Sequence, residues 1–495
     1  MRKSLIGNLK TLIARLPQKV VFISLLMVSI ALRFPFFFRD YIDRDESTFI
    51  LMGQSWVNGH LPYTELWDLK PPITFLFFAG IIYVFGKSFL AIRFFGALLV
   101  SISAFFTYKI GAEFGNKGMG YWAALGAVAL QSLFGSLQGV MSEHLCMALF
   151  IPGLFLMLQT KTHRGYLLTG LLMGMSIMTK LNIAYAVFFL GLYLIYDHFK
   201  AKRPERRLWQ PVLFGVGIIV IVGLTLLPYY RENQDLVWWN SVIMASLAYA
   251  GSSQGAVLNL APTFLAIALF FLWAWRKRYF DFKDRKVQLL AIVILGVLFS
   301  FAKAGRINSH YLIQLYPMLI VLVGLSISKI NIHIKKAYQP ILVLLMLMVP
   351  AESYLEYYRI VKNKLDKGTF YNGEGITVPQ YLMRTFPAEK NIFFLEYHIG
   401  YWLLDATPPT KAATHPSNIC REELFPFFEN PRKTALDEIT FILSVVRPNI
   451  VVTRKNRLVF DDKLVEENRY VSAYLNNNYQ VWATVEGAEI YKRSD

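Results

Sequence analysis

The chain has 495 residues, 55% of them hydrophobic, with a mean hydropathy of +0.40, which is too apolar for a soluble protein and too long for one membrane anchor. Its formal net charge of +18 would suit a nucleic-acid binder, but residues 354–495 carry basic and acidic side chains in equal number. The whole excess therefore lies among the apolar stretches, and nucleic acid is excluded as a partner.

Hydrophobic stretches recur at 20–38, 91–110, 119–138, 143–160, 165–179, 183–199, 211–229, 260–275, 287–304, 311–328 and 337–353. Most approach the roughly 20 residues that a spanning helix needs, so a polytopic α-helical membrane protein of about eleven transmembrane helices is expected. The first stretch exceeds a secretory h-region and lacks a small-residue cleavage site, so it reads as retained. Basic residues cluster at alternate connections, as at Arg15 and Lys19, Lys109 and Lys117, Lys161 and Arg164, Lys200 and Arg207, Arg276 and Lys286, and Lys329 and Lys336. This positive-inside bias places the N-terminus in the cytoplasm and residues 354–495 outside, for a multi-pass protein of the inner (plasma) membrane. A transmembrane module over 1–353 and a soluble extracytoplasmic domain over 354–495 follow.

Just beyond the first span lies an acid-rich loop containing Asp40, Asp43, Asp45 and Glu46, and after an aromatic stretch comes Trp67-Asp68-Leu69-Lys70-Pro71-Pro72. Carboxylates are costly near hydrocarbon and are seldom placed there without a task. Acids beside a lysine at one membrane face suit a reaction centre in which a carboxylate takes a proton and a cation steadies a phosphate. The segment 71–85 is apolar but short, and if it spanned the membrane the charge alternation would fail. It is expected as an interfacial helix within a first outer loop covering 39–90.

Further along, Arg93 opens the next span, Glu143 and His144 sit in a short turn after Gln138, Lys180 ends a span, and Arg306 precedes His310 and Tyr311. Snorkelling to the headgroups explains Lys180 as well as a site role does. Cys146 and Cys420 are too far apart in topology to meet, so neither a disulfide framework nor a cysteine metal site is expected. In the outer segment, β-like runs at Asn391–Tyr397, Asn449–Thr453 and Val481–Val485 alternate with helix-like stretches at Leu436–Val446 and Lys463–Asn476, which predicts a small α/β domain. The run from Tyr401 to Thr410 either faces an acceptor or packs that domain.

Taken in order, Asp45-Glu46, Lys70-Pro71-Pro72, Arg93-Phe94-Phe95, Glu143-His144, Thr179-Lys180 and Arg306 through His310-Tyr311 to Pro317 form a pattern. Over roughly residues 20–353 it resembles the protein O-mannosyltransferase and lipid A aminoarabinose transferase branch (PMT-like, glycosyltransferase family 39) of the GT-C glycosyltransferases. The resemblance implies inverting transfer of a single sugar from a polyprenyl-phosphate donor to an acceptor hydroxyl on a glycolipid, glycan or protein. The lipid-linked sugar is then a substrate, membrane lipids are the other partners, and neither cofactor nor metal is expected.

An acceptor hydroxyl must lose its proton as it attacks the anomeric carbon, so a carboxylate is needed opposite the leaving phosphate. Asp45 is the candidate base, Glu46 would orient the acceptor or hold Asp45, and Asp43 could replace either. Lys70, Arg93 and Arg306 are the candidate cations for the departing phosphate, with His310 and Tyr311 as further donors. Glu143, His144 and Lys180 would position the acceptor or support the other groups. A polyprenyl-linked glycan ligase or oligosaccharyltransferase, a lipid or sugar transporter, and a purely structural membrane protein are the competing readings. Against the transporter, no pair of Gly/Pro-broken segments recurs in two matching halves.

Overall fold

The computed structural model describes residues 13, 15–40, 43–200, 208–251, 257–305, 307–330 and 338–494. Arg207, Arg306 and Lys336, named above, lie outside them, as does Arg203. Contacts divide the chain into two compact units. One unit comprises Met1–Phe36, Arg93–Thr225 and Ser253–Glu356; the other comprises Phe37–Ile92, Leu226–Ser252 and Tyr357–Asp495.

The first unit is helical. Each of the eleven apolar stretches coincides with a helix, from Gln18–Arg33 through Phe89–Phe114, Lys117–Leu130, Ser142–Gln159 and His163–Ile177 to Gln339–Met348 followed by Ala351–Lys367. Among the described residues, six helices are long and apolar enough to cross a membrane, or seven if the bent pair Gln339–Met348 and Ala351–Lys367 is one span. Polar caps set several starts: Asn116 accepts from Met119 N (2.9 Å), Thr162 from Gly165 N (3.1 Å) and Asp284 from Lys286 N (2.9 Å). Val21, Leu25, Val100, Ala104, Ala124 and Ala127 form a buried cluster among helices Gln18–Arg33, Phe89–Phe114 and Lys117–Leu130. Lipid offers no hydrophobic drive between helices, so close approach depends on small residues. A Cβ on Gly111 would lie 2.8 Å from Gly120 Cα, and one on Gly296 would lie 2.5 Å from Ala186 Cα.

The second unit joins the first loop to the C-terminal segment. Helix Arg44–Val57 packs on helix Pro72–Phe85, where a Cβ on Gly53 would come within 2.9 Å of Ala79 N. Phe49, Phe75 and Phe78 fill the contact between them. The second helix begins at Pro72, as expected of a proline-initiated helix, and stops at Gly86 with φ +65°. The acid-rich stretch read above as a loop is helical from Arg44 on, because Asp43 caps it.

In the C-terminal segment four strands form one mixed sheet in the order β1-β2-β4-β3, with β1 Ile392–Phe394, β2 Ile450–Arg454, β3 Tyr479–Val485 and β4 Ala488–Arg493. β1 runs parallel to β2, and β4 is antiparallel to both of its neighbours. Helices Ala435–Thr440 and Val465–Asn478 bury Ile439, Val471 and Leu475 with Phe393, Ile442 and Val451. The α/β character is as expected; β4 and its hairpin turn through Glu486 (φ +53°) were missed. Within the Tyr401–Thr410 run, Tyr401, Trp402, Leu404 and Thr410 are buried and Asp405 and Thr407 are exposed.

Two short bridges tie the first loop to this domain. Trp67 N donates to Lys411 O (2.6 Å) and Ala413 N to Trp67 O (2.9 Å), while Asn372 N donates to Phe38 O and Asp40 N to Asn372 O (both 3.0 Å). The Trp67 indole is fully buried, donates to Ser241 Oγ (2.9 Å) and lies against Phe428.

Candidate active site

Asp43 Oδ1 accepts from Asp45 N (2.9 Å), so Asp43 is the cap of helix Arg44–Val57. That puts Asp45 and Glu46 in the first turn, where backbone N–H groups and the helix dipole favour negative charge. Glu46 is buried, whereas the Asp45 side chain keeps 25% of its surface accessible. Asp45 therefore combines a cationic neighbour with access.

That neighbour is Lys70. Its Nζ lies 3.4 Å from Asp45 Oδ2 and 3.9 Å from Asp68 Oδ2, and 5.5 Å from the centre of the Phe49 ring. Both backbone groups of Lys70 are held by side chains: Asp68 Oδ2 accepts from its N–H (3.2 Å), and Tyr63 Oη donates to its carbonyl (2.6 Å). Burial, with Tyr229 and Asp68 adding to it, pushes the Tyr63 phenol well above its usual range, so it stays a donor. Pro71 and Pro72 stiffen the chain immediately after.

Asp68 is buried and anchored further. Its Oδ1 accepts from Thr414 Oγ1 (3.1 Å) and Asn418 Nδ2 (3.2 Å). Thr414 contacts Thr48 Oγ1 (2.9 Å), and Thr48 contacts His398 Nε2 (3.1 Å). Burial, with His415 and the Arg44 guanidinium adding to it, holds the His398 imidazole well below its ordinary pKa. Arg44 in turn pairs with Glu396 at 2.6 Å, and Glu396 lies 3.7 Å from Arg454. Asp68 carried a signal in the sequence, an acid two residues before the key lysine; Thr48, His398, Thr414 and Asn418 carried none, because they meet across about 350 positions.

The helical unit holds a second cluster. Glu143 Oε1 pairs with Lys180 Nζ at 2.6 Å and lies 3.9 Å from His310 Nε2, and Ser142 Oγ donates to Glu143 Oε2 (3.1 Å). Lys180 Nζ sits 4.6 Å above the Tyr311 ring. With only 7% of its side chain exposed, Lys180 does not snorkel: a buried carboxylate holds it inside. Asn182 and Gln314 exchange amide hydrogen bonds of 2.9 Å in both directions.

His144 is occupied structurally. Its Nδ1 accepts from Met141 N (3.1 Å), so Nε2 donates to Gln131 O (2.7 Å). Arg93 is fully buried and donates to Phe36 O (2.6 Å), as Arg33 does to the carbonyls of Gln131 (3.1 Å), Leu137 and Gly139 (both 2.7 Å). Among the described residues, no group of three or more His, Cys, Asp or Glu is disposed to hold a metal.

The model of the family described as dolichyl-phosphate-mannose-protein mannosyltransferase matches residues 69–229. No curated protein sequence matches the chain. ArnT from Cupriavidus metallidurans shares the fold: its structure bound to undecaprenyl phosphate superposes with TM-score 0.60 at 13% identity, covering 95% of this chain and 97% of that one. Its apo structure gives TM-score 0.62 at 13% identity with the same coverage. The archaeal oligosaccharyltransferase AglB from Archaeoglobus fulgidus gives TM-score 0.44 at 11% identity, over 97% of this chain and 74% of that one.

Proposed function

We propose, from its being a PMT-like membrane chain with the GT-C glycosyltransferase fold, that this protein is an inverting glycosyltransferase using a polyprenyl-phosphate-linked sugar. The observation that carries the reading is the Asp45–Lys70 pair, an accessible carboxylate beside an ammonium whose backbone is clamped on both sides. The undecaprenyl phosphate bound by ArnT supports a polyprenyl carrier as the donor lipid here.

In the proposed step, the acceptor oxygen forms a bond to the anomeric carbon while the bond from that carbon to the phosphate oxygen breaks. Asp45 takes the hydroxyl proton, and the carrier leaves as polyprenyl phosphate with the bonding electron pair. Lys70 stabilises the charge growing on the phosphate, since its three donors ride on a flexible four-carbon stem that can turn from carboxylate to phosphate. Neutralising that charge matters most in the transition state and so raises turnover. Neither a cofactor nor a metal is part of the proposed step. Within the helical unit we assign Glu143 and Lys180 to holding His310 and Tyr311 in place as donors to a polar substrate group.

The proposed setting is the outer face of the inner membrane, with the N-terminus cytoplasmic and about eleven spans. The test is transfer from an undecaprenyl-phosphate monosaccharide by the purified protein in lipid nanodiscs, with release of undecaprenyl phosphate measured. Release that requires an acceptor and disappears in Asp45→Asn supports the reading; transfer of a long glycan instead would identify a ligase.

A further inference from the structure

We infer that residues Thr414 and Asn418 of the C-terminal segment are positioning residues for Lys70, acting through Asp68; the inference rests on the function proposed above. Asp68 can only accept hydrogen bonds, so Thr414 must give it the single proton of its hydroxyl. Thr414 Oγ1 in turn lies 2.9 Å from Thr48 Oγ1, whose hydroxyl also reaches the Arg44 carbonyl (3.0 Å) and lies 3.1 Å from His398 Nε2. The chain ends on the Asp68 carboxylate, to which Asn418 also donates at 3.2 Å.

The other oxygen of the same carboxylate holds Lys70 N–H at 3.2 Å, while Tyr63 holds the Lys70 carbonyl at 2.6 Å. The root of the lysine is thus immobilised from three places: a tyrosine in the first loop, an aspartate two residues earlier, and a strap more than 340 positions away. Only the ammonium, placed 3.4 Å from Asp45, remains to be redirected onto a phosphate. A group whose backbone is fixed loses less entropy on gripping its ligand and meets it in register, and a misplacement of about 1 Å can cost on the order of 100-fold in rate. Docking the C-terminal segment therefore completes the lysine's geometry through Asp68.

The test uses the full chain in nanodiscs and undecaprenyl phosphate as the probe. Lys70→Met is expected to weaken binding about tenfold, and Thr414→Val about threefold to tenfold, with Thr414→Ser restoring it because the hydroxyl returns. In a Lys70→Met background, Thr414→Val is expected to add no further loss, since the group it positions is gone. A merely structural role would weaken both backgrounds alike and overturn the inference, as would wild-type binding by Thr414→Val. Asn418→Leu, judged by the same cycle, serves if Thr414→Val does not fold. A wild-type chain that does not bind undecaprenyl phosphate, or a Lys70→Met chain that binds it normally, would refute the functional reading and this inference with it.

Discussion

Asp45 Oδ2 and Lys70 Nζ stand 3.4 Å apart, yet the two residues reach that distance from different supports. Asp45 rides on the first turn of a helix capped by Asp43, and Lys70 on a turn pinned by Asp68 and Tyr63. The separation is longer than a tight charge-assisted hydrogen bond, as suits a lysine that must exchange one anion for another.

The cap and the base can be separated by mutation. Asp45→Asn keeps the shape but removes the proton acceptor, and turnover is expected to fall about 100-fold or more with folding intact. Asp43→Ala removes a cap and is expected to cost about 1 kcal/mol of stability while retaining most of the turnover. Thermal unfolding and initial rates on both variants decide it; near wild-type turnover in Asp45→Asn would remove Asp45 from the base role.

Much of this arrangement could be read from the order of residues, and the remainder could not, for physical reasons. The apolar stretches announced the helices, since length and hydropathy alone set them. The Asp-Arg-Asp-Glu run at 43–46 is a cap followed by first-turn acids and could have been read as a helix start rather than a loop. β4 was also within reach, because Glu486-Gly487 joins two alternating runs. The environment of Lys180 was not legible: a lysine at a helix end looks the same whether it snorkels or meets a buried glutamate, and Glu143 lies 37 positions away. The anchoring of Asp68 by Thr414 and Asn418 was equally hidden, since neither residue type signals a partner at that distance.

The Glu143–Lys180 pair makes its own prediction. Lys180→Met alone leaves a buried carboxylate without its ammonium and is expected to destabilise by about 3–5 kcal/mol, whereas Lys180→Met with Glu143→Gln recovers much of that loss. Unfolding midpoints in detergent compare the three chains. Equal midpoints for the single variant and the wild type would show that the pair bears no buried charge.

His398 and His415 predict acid sensitivity of the unit that holds Asp45. Burial holds both imidazoles down, His415 to about 4, so the unfolded chain binds protons that the folded chain refuses. Stability from this source is complete above the unfolded value of about 6.5 and is lost as pH falls from there toward about 4. Replacing His415 with glutamine should flatten the loss between those limits, as followed by hydrogen exchange of β1 and β2. An unchanged slope would assign the acid sensitivity to other groups.

Orientation is tested by labelling. A cysteine placed at an exposed position of the 354–495 domain is expected to react with an impermeant reagent in right-side-out vesicles, and one near Arg203 only after permeabilisation. Labelling of the Arg203 connection from outside would invert the proposed topology.

The decisive measurement is mass spectrometry of the lipid that co-purifies with the Asp45→Asn protein from its own cells. A variant that binds the donor but cannot accept the proton is expected to retain a polyprenyl phosphate bearing one sugar, while the wild type retains less of it. Recovery of a carrier bearing a long glycan, or of no polyprenyl carrier from either protein, would contradict single-sugar transfer at Asp45 and Lys70.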